Sequence, residues 1–290
     1  MALIELKNLH KRFGSLVVLD GVSLSIPEGQ SLVIIGASGT GKSVLLKHIV
    51  GLLKPDNGEV WYDSQQIDKM NQRQLDEVRV HIGFLFQQGA LFDSFTVEDN
   101  IAFPLREHTS KSAGEISDLV DEKLAMVGLP DTRKKMPAQL SGGQKKRIAL
   151  ARAIALNPRV MLYDEPTTGL DPIRSDVINE LILKLKRETA VTSITVTHDM
   201  RSASKVADRI VMLHRGRMIF DGTPDQMRDS DESMIRNFVR GEAGEDDLEG
   251  LDLATPPKKD ANRPNALDKG ATLIDKSKQR ASAKSRKRVG

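Results

Sequence analysis

A glycine-rich segment between an apolar run and a helical pattern carries the strongest chemical signal in the sequence. It follows residues 31–35 and precedes a helix predicted from about Lys42 to Leu53. Glycines let backbone N–H groups converge on phosphate oxygens, the lysine can reach the β and γ phosphates, and the serine can ligate Mg²⁺. The segment therefore predicts a nucleoside triphosphate site rather than an unspecialised turn. This P-loop consists of Gly36, Ala37, Ser38, Gly39, Thr40, Gly41, Lys42 and Ser43.

Two carboxylates end a later apolar run and fit the same chemistry. Val160–Tyr163 is typical of a buried strand, and Asp164 and Glu165 follow it directly. Asp164 can hold Mg²⁺ through water, and Glu165 can polarise an attacking water. Strands also end in acids simply because the chain returns to solvent. The P-loop makes phosphoryl transfer the better explanation of this pair.

A second phosphate-binding device is predicted at residues 140–144. There Leu-Ser-Gly-Gly-Gln opens a helix predicted from about Gln144 to Leu156. The serine hydroxyl, two glycines that expose the backbone, and the helix N-terminus point together at an anion. An ordinary capped helix start is the alternative for five residues of this kind.

Short β-branched runs alternate with longer helical patterns over residues 1 to about 240, and these elements must position the chemistry. Helices are predicted at about Glu98–Arg106 and Glu115–Val127, in a stretch with a single strand signal. The pattern predicts an α/β core with a helical insertion. The predicted strands are Leu3–Leu6, Val22–Ile26, Ser31–Ile35, Val60–Tyr62, Ile82–Leu85, Val160–Tyr163, Ser193–Thr197 and Ile210–Leu213.

Composition excludes several classes of protein. The 290 residues contain no cysteine, which excludes disulfides, thiolate metal sites and cysteine nucleophiles. No run approaches the roughly 18 apolar residues of a membrane span, and the first residues lack a secretory pattern. We therefore expect a chain that neither crosses a membrane nor is exported.

The charge is distributed unevenly along the chain. Residues 255–290 hold eleven Lys or Arg and three acids, a net charge of +8. Since the whole chain has a net charge of +3, the preceding 254 residues carry a net charge of −5. Residues 242–252 hold six acids and no base. We predict a folded body, 1–240, and a charged, largely disordered tail, 241–290. The basic charge belongs to the tail, so no nucleic-acid partner is expected.

Residues 140–144, lying between the P-loop and the carboxylate pair, closely resemble the signature of the ATP-binding cassette (ABC) ATPases. Other family motifs follow in order over about residues 1–235. Phe13 resembles the aromatic that stacks on adenine, and Gln87 matches the Q-loop glutamine. Thr168-Gly169-Leu170-Asp171 resembles the D-loop, and His198 matches the switch histidine. Singly, Phe13 also fits a core residue, Gln87 a solvated loop and His198 a helix cap.

The resemblance implies a P-loop NTPase cassette of the α/β class, with a RecA-like core, an antiparallel β subdomain and a helical subdomain at about residues 88–158. It implies an Mg²⁺-dependent ATPase in which Glu165 activates water, His198 senses the γ-phosphate and Gln87 couples the site to the helical subdomain. Ser43, Gln87 and Asp164 are the implied metal ligands. Cassettes of this family pair head to tail, which implies a homodimer. The partner's ATP would then be covered by Ser141, Gly142, Gly143 and Gln144, with Asp171 nearby.

Two details resemble one branch, the Mla or Mkl-like ATPases of bacterial lipid transporters. Val44 stands where most ABC ATPases have a threonine, and the second detail is the pair of stretches 87–92 and 100–109. A helix terminus with solvated charges is the alternative for 104–109. The branch implies permease subunits, a lipid-binding subunit of the mammalian-cell-entry type, a small regulatory subunit and phospholipid cargo. It places the ATPase on the cytoplasmic face of the inner membrane.

Other functions stay open at this stage. Another importer or exporter would share the same ATPase, and Gln144 and Leu170-Asp171 follow the general ABC pattern rather than some Mla-like members. A non-transport ABC ATPase acting on nucleic acid or ribosomes is less favoured, because long insertions and a second cassette are missing from the sequence. The basic tail either lies on anionic lipid headgroups or only keeps the chain soluble.

Overall fold

In the computed structural model, which describes residues 2–243, the β-branched runs form two sheets. The strands are β1 (Ala2–Phe13), β2 (Leu16–Pro27), β3 (Ser31–Ile35), β4 (Asn57–Tyr62), β5 (Gln65–Gln66), β6 (Ile82–Leu85), β7 (Val160–Asp164), β8 (Thr192–Val196), β9 (Arg209–His214) and β10 (Arg217–Gly222). The helices are α1 (Lys42–Ile49), α2 (Gln72–Arg79), α3 (Val97–His108), α4 (Ala113–Met126), α5 (Gly142–Ala153), α6 (Pro172–Thr189), α7 (Met200–Val206), α8 (Pro224–Arg228) and α9 (Ser233–Arg240).

The main sheet has the order β10-β9-β3-β8-β7-β6. Strands β6, β7, β8, β3 and β9 run parallel, and β10 is an antiparallel edge strand. All residues of β3 and β8 are buried, as expected of parallel strands covered on both faces. The carboxyl ends of β3, β7 and β8 meet at one edge of this sheet. That edge carries the P-loop, the carboxylate pair and His198.

Two apolar cores lie on opposite faces of the main sheet. Along β3, Val33 and Ile35 belong to the core that α6 and α7 cover, whereas Leu32 and Ile34 belong to the core beneath α1. The alternation follows from the two-residue period of a strand. Each fully buried side chain of this size contributes about 1.5–3 kcal/mol. The P-loop is therefore anchored by a strand that is packed on both sides.

The second sheet is antiparallel, with the order β2-β1-β4-β5. Ile4 lies opposite Ile26 on one side and Tyr62 on the other. Strands β1 and β2 extend well beyond the predicted Leu3–Leu6 and Val22–Ile26. Most of their additional residues are polar or exposed, so hairpin pairing holds them in the sheet together with the buried Leu9, Val18 and Leu19.

Helices α3, α4 and α5 pack together within the range 88–158 predicted for a helical subdomain. Their contact surface is apolar and includes Ile101, Leu105, Val120, Leu124 and Ile148. The bounds of α3 and α4 agree with the predicted helices to within two residues. Side-chain caps begin both helices: Thr96 accepts from the backbone N–H of Asp99, and Ser112 from that of Glu115.

Several element boundaries differ from prediction. Helix α1 ends at Ile49 rather than Leu53, because Gly51 adopts a left-handed φ of 64° and turns the chain. Helix α5 begins at Gly142 rather than Gln144, since Ser141 is its N-cap, and it ends at Ala153 rather than Leu156. Strands β5 and β10 and helices α2 and α6–α9 were not predicted.

The predicted tail, 241–290, lies outside the described residues except for 241–243. Within residues 2–243, none of the helices combines the length and the apolar character required to cross a membrane.

Candidate active site

The P-loop joins β3 to α1 through glycines that no other residue can replace without strain. Gly36 has a φ of 150°, and a Cβ there would lie 2.3 Å from the carbonyl oxygen of Leu213. Gly41 has a φ of 98°, and its Cβ would lie 2.7 Å from the carbonyl oxygen of Val18. By contrast, Gly39 faces open space. The loop is therefore closely packed at Gly36 and Gly41, and its other side, where Ala37 and Ser38 are exposed, is open to solvent.

Lys42 is enclosed by the loop that precedes it. Its side chain is buried, and Nζ donates to the carbonyl oxygens of Gly36 and Ala37, both at 2.8 Å. Burial lowers the pKa of Lys42, while Glu165 and Asp164 act in the opposite direction. The loop thus curls around a cation, with Thr40 Oγ1 adding a 2.9 Å hydrogen bond to Ala37 O.

Ser43 and Asp164 connect the start of α1 to the end of β7. Ser43 Oγ donates to Asp164 Oδ1 at 2.8 Å. Burial raises the pKa of Asp164, and the hydrogen bond from Ser43 opposes this. A hydroxyl and a carboxylate are the hard oxygen ligands that Mg²⁺ prefers, and a divalent cation would offset the burial of the carboxylate. This pair fits Mg²⁺ in its chemistry.

Glu165 is the most constrained side chain of the site. It has a left-handed φ of 50°, and its backbone N–H donates to Val196 O at 2.9 Å. His198 Nδ1 lies 3.0 Å from Oε1, and Thr168 Oγ1 donates to Oε2 at 2.9 Å. Both carboxylate oxygens are therefore held. His198 itself is half exposed, and Asp199 rather than His198 caps α7.

The remaining predicted residues lie apart from this cluster. Phe13 is 47% exposed beside the β1–β2 turn, which excludes the core alternative, and Lys11 Nζ lies 5.6 Å from its ring centroid. Val44 is half-buried against the core beneath α1. Asp171 caps α6 and pairs with Arg174 at 3.2 Å. Gln87 is exposed, and within residues 2–243 its side chain makes no hydrogen bond.

The signature residues begin α5 and face outward. Ser141 Oγ accepts from the backbone N–H of Gln144, and Gln144 Oε1 accepts from that of Ser141. A Cβ on Gly142 would meet nothing within 4 Å, whereas Gly143 packs against Arg174. Within the described chain, no hydrogen bond or ion pair joins residues 141–144 to the P-loop. Locally, residues 141–144 are thus an ordinary capped helix start. Ser141 and Gly142 remain exposed and can contact a ligand or another chain.

Two residues that hold the site were missed by the sequence analysis. Thr168 was noted only as part of the D-loop pattern, yet it holds Glu165. Lys146 is 6% exposed, and its Nζ donates to the carbonyl oxygens of Gln87 and Glu165. A lysine in an amphipathic helix is typical of a solvated face, so its type and spacing gave no signal.

The comparisons with known proteins agree with this geometry. The family model described as ABC transporter matches residues 19–168. The chain belongs to the ABC transporter family. It is therefore an ABC-type ATPase, a nucleotide-binding cassette of the α/β class, and the fold expected from the sequence is confirmed.

Curated relatives cover most of the cassette. This chain is 44% identical over 238 residues to the probable ribonucleotide transport ATP-binding protein mkl of Mycobacterium leprae, and the match covers 82% of this chain and 69% of that protein. It is 43% identical over 241 residues to the intermembrane phospholipid transport system ATP-binding protein MlaF of Haemophilus influenzae, covering 83% of this chain and 91% of that protein. The MlaF protein of Escherichia coli K12 is 38% identical over 239 residues, covering 82% of this chain and 89% of that protein.

Solved structures of ABC cassettes superpose closely. A dimeric ATP-binding cassette in a post-hydrolysis state, bound to ADP and Pi, has a TM-score of 0.71 at 36% identity and covers 76% of this chain and 98% of that one. A cassette of Clostridium perfringens, part of an ABC transporter complex, has a TM-score of 0.73 at 29% identity and covers 82% and 95%.

Proposed function

We propose that this cassette powers the movement of phospholipid, or a related hydrophobic molecule, through a membrane permease. The observation that carries the ATPase chemistry is Glu165, whose two carboxylate oxygens are held by His198 and Thr168 beside the buried Lys42. The names of the MlaF relatives support the cargo, and the mkl name keeps another cargo as an outcome of the test.

The hydrolysis step follows from the positions of the side chains. Lys42 presents positive charge inside the P-loop, where the phosphates of ATP would bind. Glu165 accepts a proton from, or orients, the attacking water, and His198 fixes the orientation of that carboxylate. Ser43 and Asp164 would hold Mg²⁺, which neutralises charge on the phosphates when bound, and Gln87 is proposed as a further ligand.

Dimer closure supplies what one chain lacks. Among residues 2–243, no hydrogen bond or ion pair joins the exposed Ser141 and Gly142 to the P-loop, whose own Ala37 and Ser38 are exposed. Head-to-tail pairing would bring each signature face onto the other chain's P-loop, with Phe13 against adenine and Asp171 near the junction. The dimeric state of the similar cassette supports this arrangement.

A groove beside the Q-loop is suited to a permease segment. It has a volume of about 430 Å³ and is lined by both stretches that the sequence analysis singled out as branch-specific. Its exposed aromatic side chains are Phe86, Phe92 and Phe103, at 37–41% exposure. Three exposed aromatic side chains that line one groove support the proposal of an interaction site there. The permease would hold the cassette at the cytoplasmic face of the inner membrane, in complexes that include a lipid-binding subunit of the mammalian-cell-entry type and a small regulatory subunit.

Purification from native membranes tests the transport assignment. The tagged full-length chain would be isolated in mild detergent, and the co-purifying proteins and lipids identified by mass spectrometry. We expect a multi-span permease, a lipid-binding subunit and bound phospholipid. Recovery of a permease with a different cargo would contradict the lipid assignment only. Recovery with ribosomes or DNA would leave the ATPase chemistry and overturn transport.

A pair of variants tests dimer closure. Glu165→Gln is expected to bind ATP without turnover and to accumulate as a dimer in sedimentation experiments. Adding Gly142→Asp should abolish that dimer while preserving ATP affinity, because the new side chain enters open space in the single chain but carries charge into the proposed interface. Normal hydrolysis by Glu165→Gln would refute the role of Glu165. A dimer that persists with Gly142→Asp would refute the interface.

A further inference from the structure

Helix α5 carries a buried lysine, Lys146, and a half-buried arginine, Arg152, and both bind backbone carbonyls of the Q-loop segment. Its N-terminus presents the signature residues, and one turn later Lys146 is 6% exposed. A buried lysine is rare unless its ammonium is satisfied. Here Nζ donates to the carbonyl oxygen of Gln87 and, at 3.2 Å, to that of Glu165. One side chain thus joins three segments: the signature helix, the Q-loop and the turn after β7.

Arg152 fastens the same loop farther along the helix. Its two terminal nitrogens donate to the carbonyl oxygens of Gly89 and Ala90, both at 2.9 Å, and its guanidinium lies 5.5 Å from the ring centroid of Phe92. Gly89 and Ala90 have φ values of 75° and 49°, a reversal that points consecutive carbonyls at the helix. Ala90 is not a glycine, so this backbone costs energy that the arginine contacts offset.

Close packing makes the connection stiff. A Cβ on Gly89 would lie 3.2 Å from the Cβ of Ala149, so the loop lies directly on α5. Helix α5 also packs against α3 and α4, and its buried apolar residues, including Ile148 and Leu150, belong to the same core as theirs. A displacement of α5 would therefore move the signature and change the contacts of Lys146 with the carbonyls of Gln87 and Glu165.

We infer that Lys146 is a positioning residue for hydrolysis, which holds the backbones of Gln87 and Glu165 in fixed relation to the signature helix. The inference rests on the proposed function of Glu165 and extends it. Lys146 touches neither Glu165 Oε1 nor Oε2; it acts through the backbone, setting where the left-handed turn presents the carboxylate. The hydrogen bonds of Arg152 go to the loop and not to the turn at Glu165, so it fixes one of these two segments.

The test compares Lys146→Met with Lys146→Arg in the full-length chain. Methionine keeps the apolar stem and removes the donors, whereas arginine keeps the charge and the donors. We expect Lys146→Met to lower kcat at least tenfold with the dissociation constant for ATP within twofold, and Lys146→Arg to recover most of the loss. Lys69→Met, on an exposed lysine of the 3₁₀ turn before α2, is the matched control. Unchanged kcat in Lys146→Met would overturn the inference.

Arg152→Met separates this role from simple loosening of the loop. We expect it to raise amide hydrogen exchange at residues 88–92 but to lower kcat less than Lys146→Met does. Equal losses of kcat would overturn the inference, because loop disorder alone would then account for both. So would a joint loss of ATP binding and thermal stability in Lys146→Met, which would indicate a general structural role.

Hydrogen exchange tests the role of Lys146 separately from the proposed ATPase function, because it reports on the backbone and not on hydrolysis. Lys146→Met should raise exchange at both 86–90 and 165–168, whether or not hydrolysis is observed. A wild-type chain that fails to hydrolyse ATP contradicts the proposed function, and the exchange result still decides the connection between segments. If Lys146→Met does not fold, Lys146→Gln, which carries a polar amide, takes its place. It should show the same exchange pattern and at least a threefold lower kcat. Wild-type exchange together with a wild-type kcat in Lys146→Gln would overturn the inference.

Discussion

Lys42 shows how a single residue prepares the site before any ligand binds. Its ammonium lies inside the P-loop, bonded to two backbone carbonyls and deprived of water. Removing it takes away both the charge that faces the phosphates and the group that organises the loop. A hydrogen bond to a charged group contributes about 1.5–3 kcal/mol, so Lys42→Ala should weaken ATP binding roughly 10- to 100-fold.

Titration with a fluorescent ATP analogue would measure this loss. Lys69→Ala, an exposed lysine outside the site, serves as the control and should bind with wild-type affinity. Unchanged affinity in Lys42→Ala would argue against the assignment of the P-loop.

Two P-loop glycines provide a matched test of backbone geometry. Both Gly39 and Gly41 have positive φ, but only Gly41 lies against backbone, 2.7 Å from its hypothetical Cβ. Gly39→Ala should cost about 1 kcal/mol of unfolding free energy through its φ alone. Gly41→Ala should cost about 2–4 kcal/mol because steric overlap is added. Denaturant unfolding measures both, and equal costs would contradict the packing argument.

The predictability of the site depended on whether each residue belongs to a contiguous pattern. The P-loop residues are contiguous and follow one strand, and Asp164 and Glu165 are neighbours at the end of another, so local pattern alone indicated them. Lys146 contacts carbonyls 59 and 19 residues away, and no local pattern encodes such a contact. Thr168 is a similar case over a shorter distance, since its bond to Glu165 depends on the left-handed turn between them.

Prediction of the elements was best where apolar residues lie on both faces. Strand β3 was predicted with its observed bounds because all five of its residues are buried. The hairpin of β1 and β2 was predicted only in part, since the outer half of β1 is mostly polar, Leu16 and Val17 of β2 are exposed, and this end depends on cross-strand pairing. Helix α6 was missed although it is 18 residues long. The charged residues between Ile178, Ile182 and Leu185 make the helical spacing of these buried residues hard to recognise in the sequence.

The start of α3 is held by an ion-pair network that predicts a pH dependence. Glu98 receives hydrogen bonds from Arg133 at 2.7 Å and Lys134 at 2.6 Å, and these lower its pKa from 4.5 to about 2. Since the folded pKa lies below the unfolded value, the stabilisation is fully present above pH 4.5 and is lost as the pH falls towards 2. The carboxylate is 20% exposed, so we reduce the linkage limit to about 1–2 kcal/mol.

Glu98→Gln should therefore lower the free energy of unfolding by about 1–2 kcal/mol at pH 7 and by little near pH 2. Denaturant titrations at both pH values provide the measurement. Glu107→Gln, an exposed position on the same helix, is the control and should change little at either pH. A loss of equal size at pH 7 and pH 2 would show that charge is not the cause.

At the scale of the whole molecule, the proposed hydrolysis residues and the proposed permease-contacting residues lie on different parts of the cassette. The P-loop and Glu165 lie on the main sheet, which is packed on both faces and is therefore stiff. The signature, the Q-loop and the aromatic groove lie on or against α3–α5, whose apolar contact surface forms part of one core. A permease that moves this helical unit would reposition the signature and, through Lys146, the turn at Glu165, without rebuilding the nucleotide cradle.

The charged tail follows all of the proposed site residues in the sequence, which predicts the effect of its removal. Deleting residues 242–290 is expected to leave basal ATPase activity within twofold, because every proposed site residue lies between Phe13 and His198. Helix α9 is still completed by Gly241, whose φ is 68° and whose N–H donates to Phe238 O. Steady-state hydrolysis by the two chains is the measurement, and a collapse of activity in the shorter chain would contradict the prediction.

The same pair of chains decides between the two interpretations of the tail. Residues 255–290 carry eleven basic and three acidic side chains, and each basic group near an anionic membrane contributes on the order of 1 kcal/mol before screening. If the tail lies on lipid, the full-length chain should co-sediment with vesicles containing phosphatidylserine, in a manner that weakens with salt, and the shortened chain should not. Equal recovery of the two chains would leave solubility as the role of the tail, because the membrane contact would then not depend on its basic side chains.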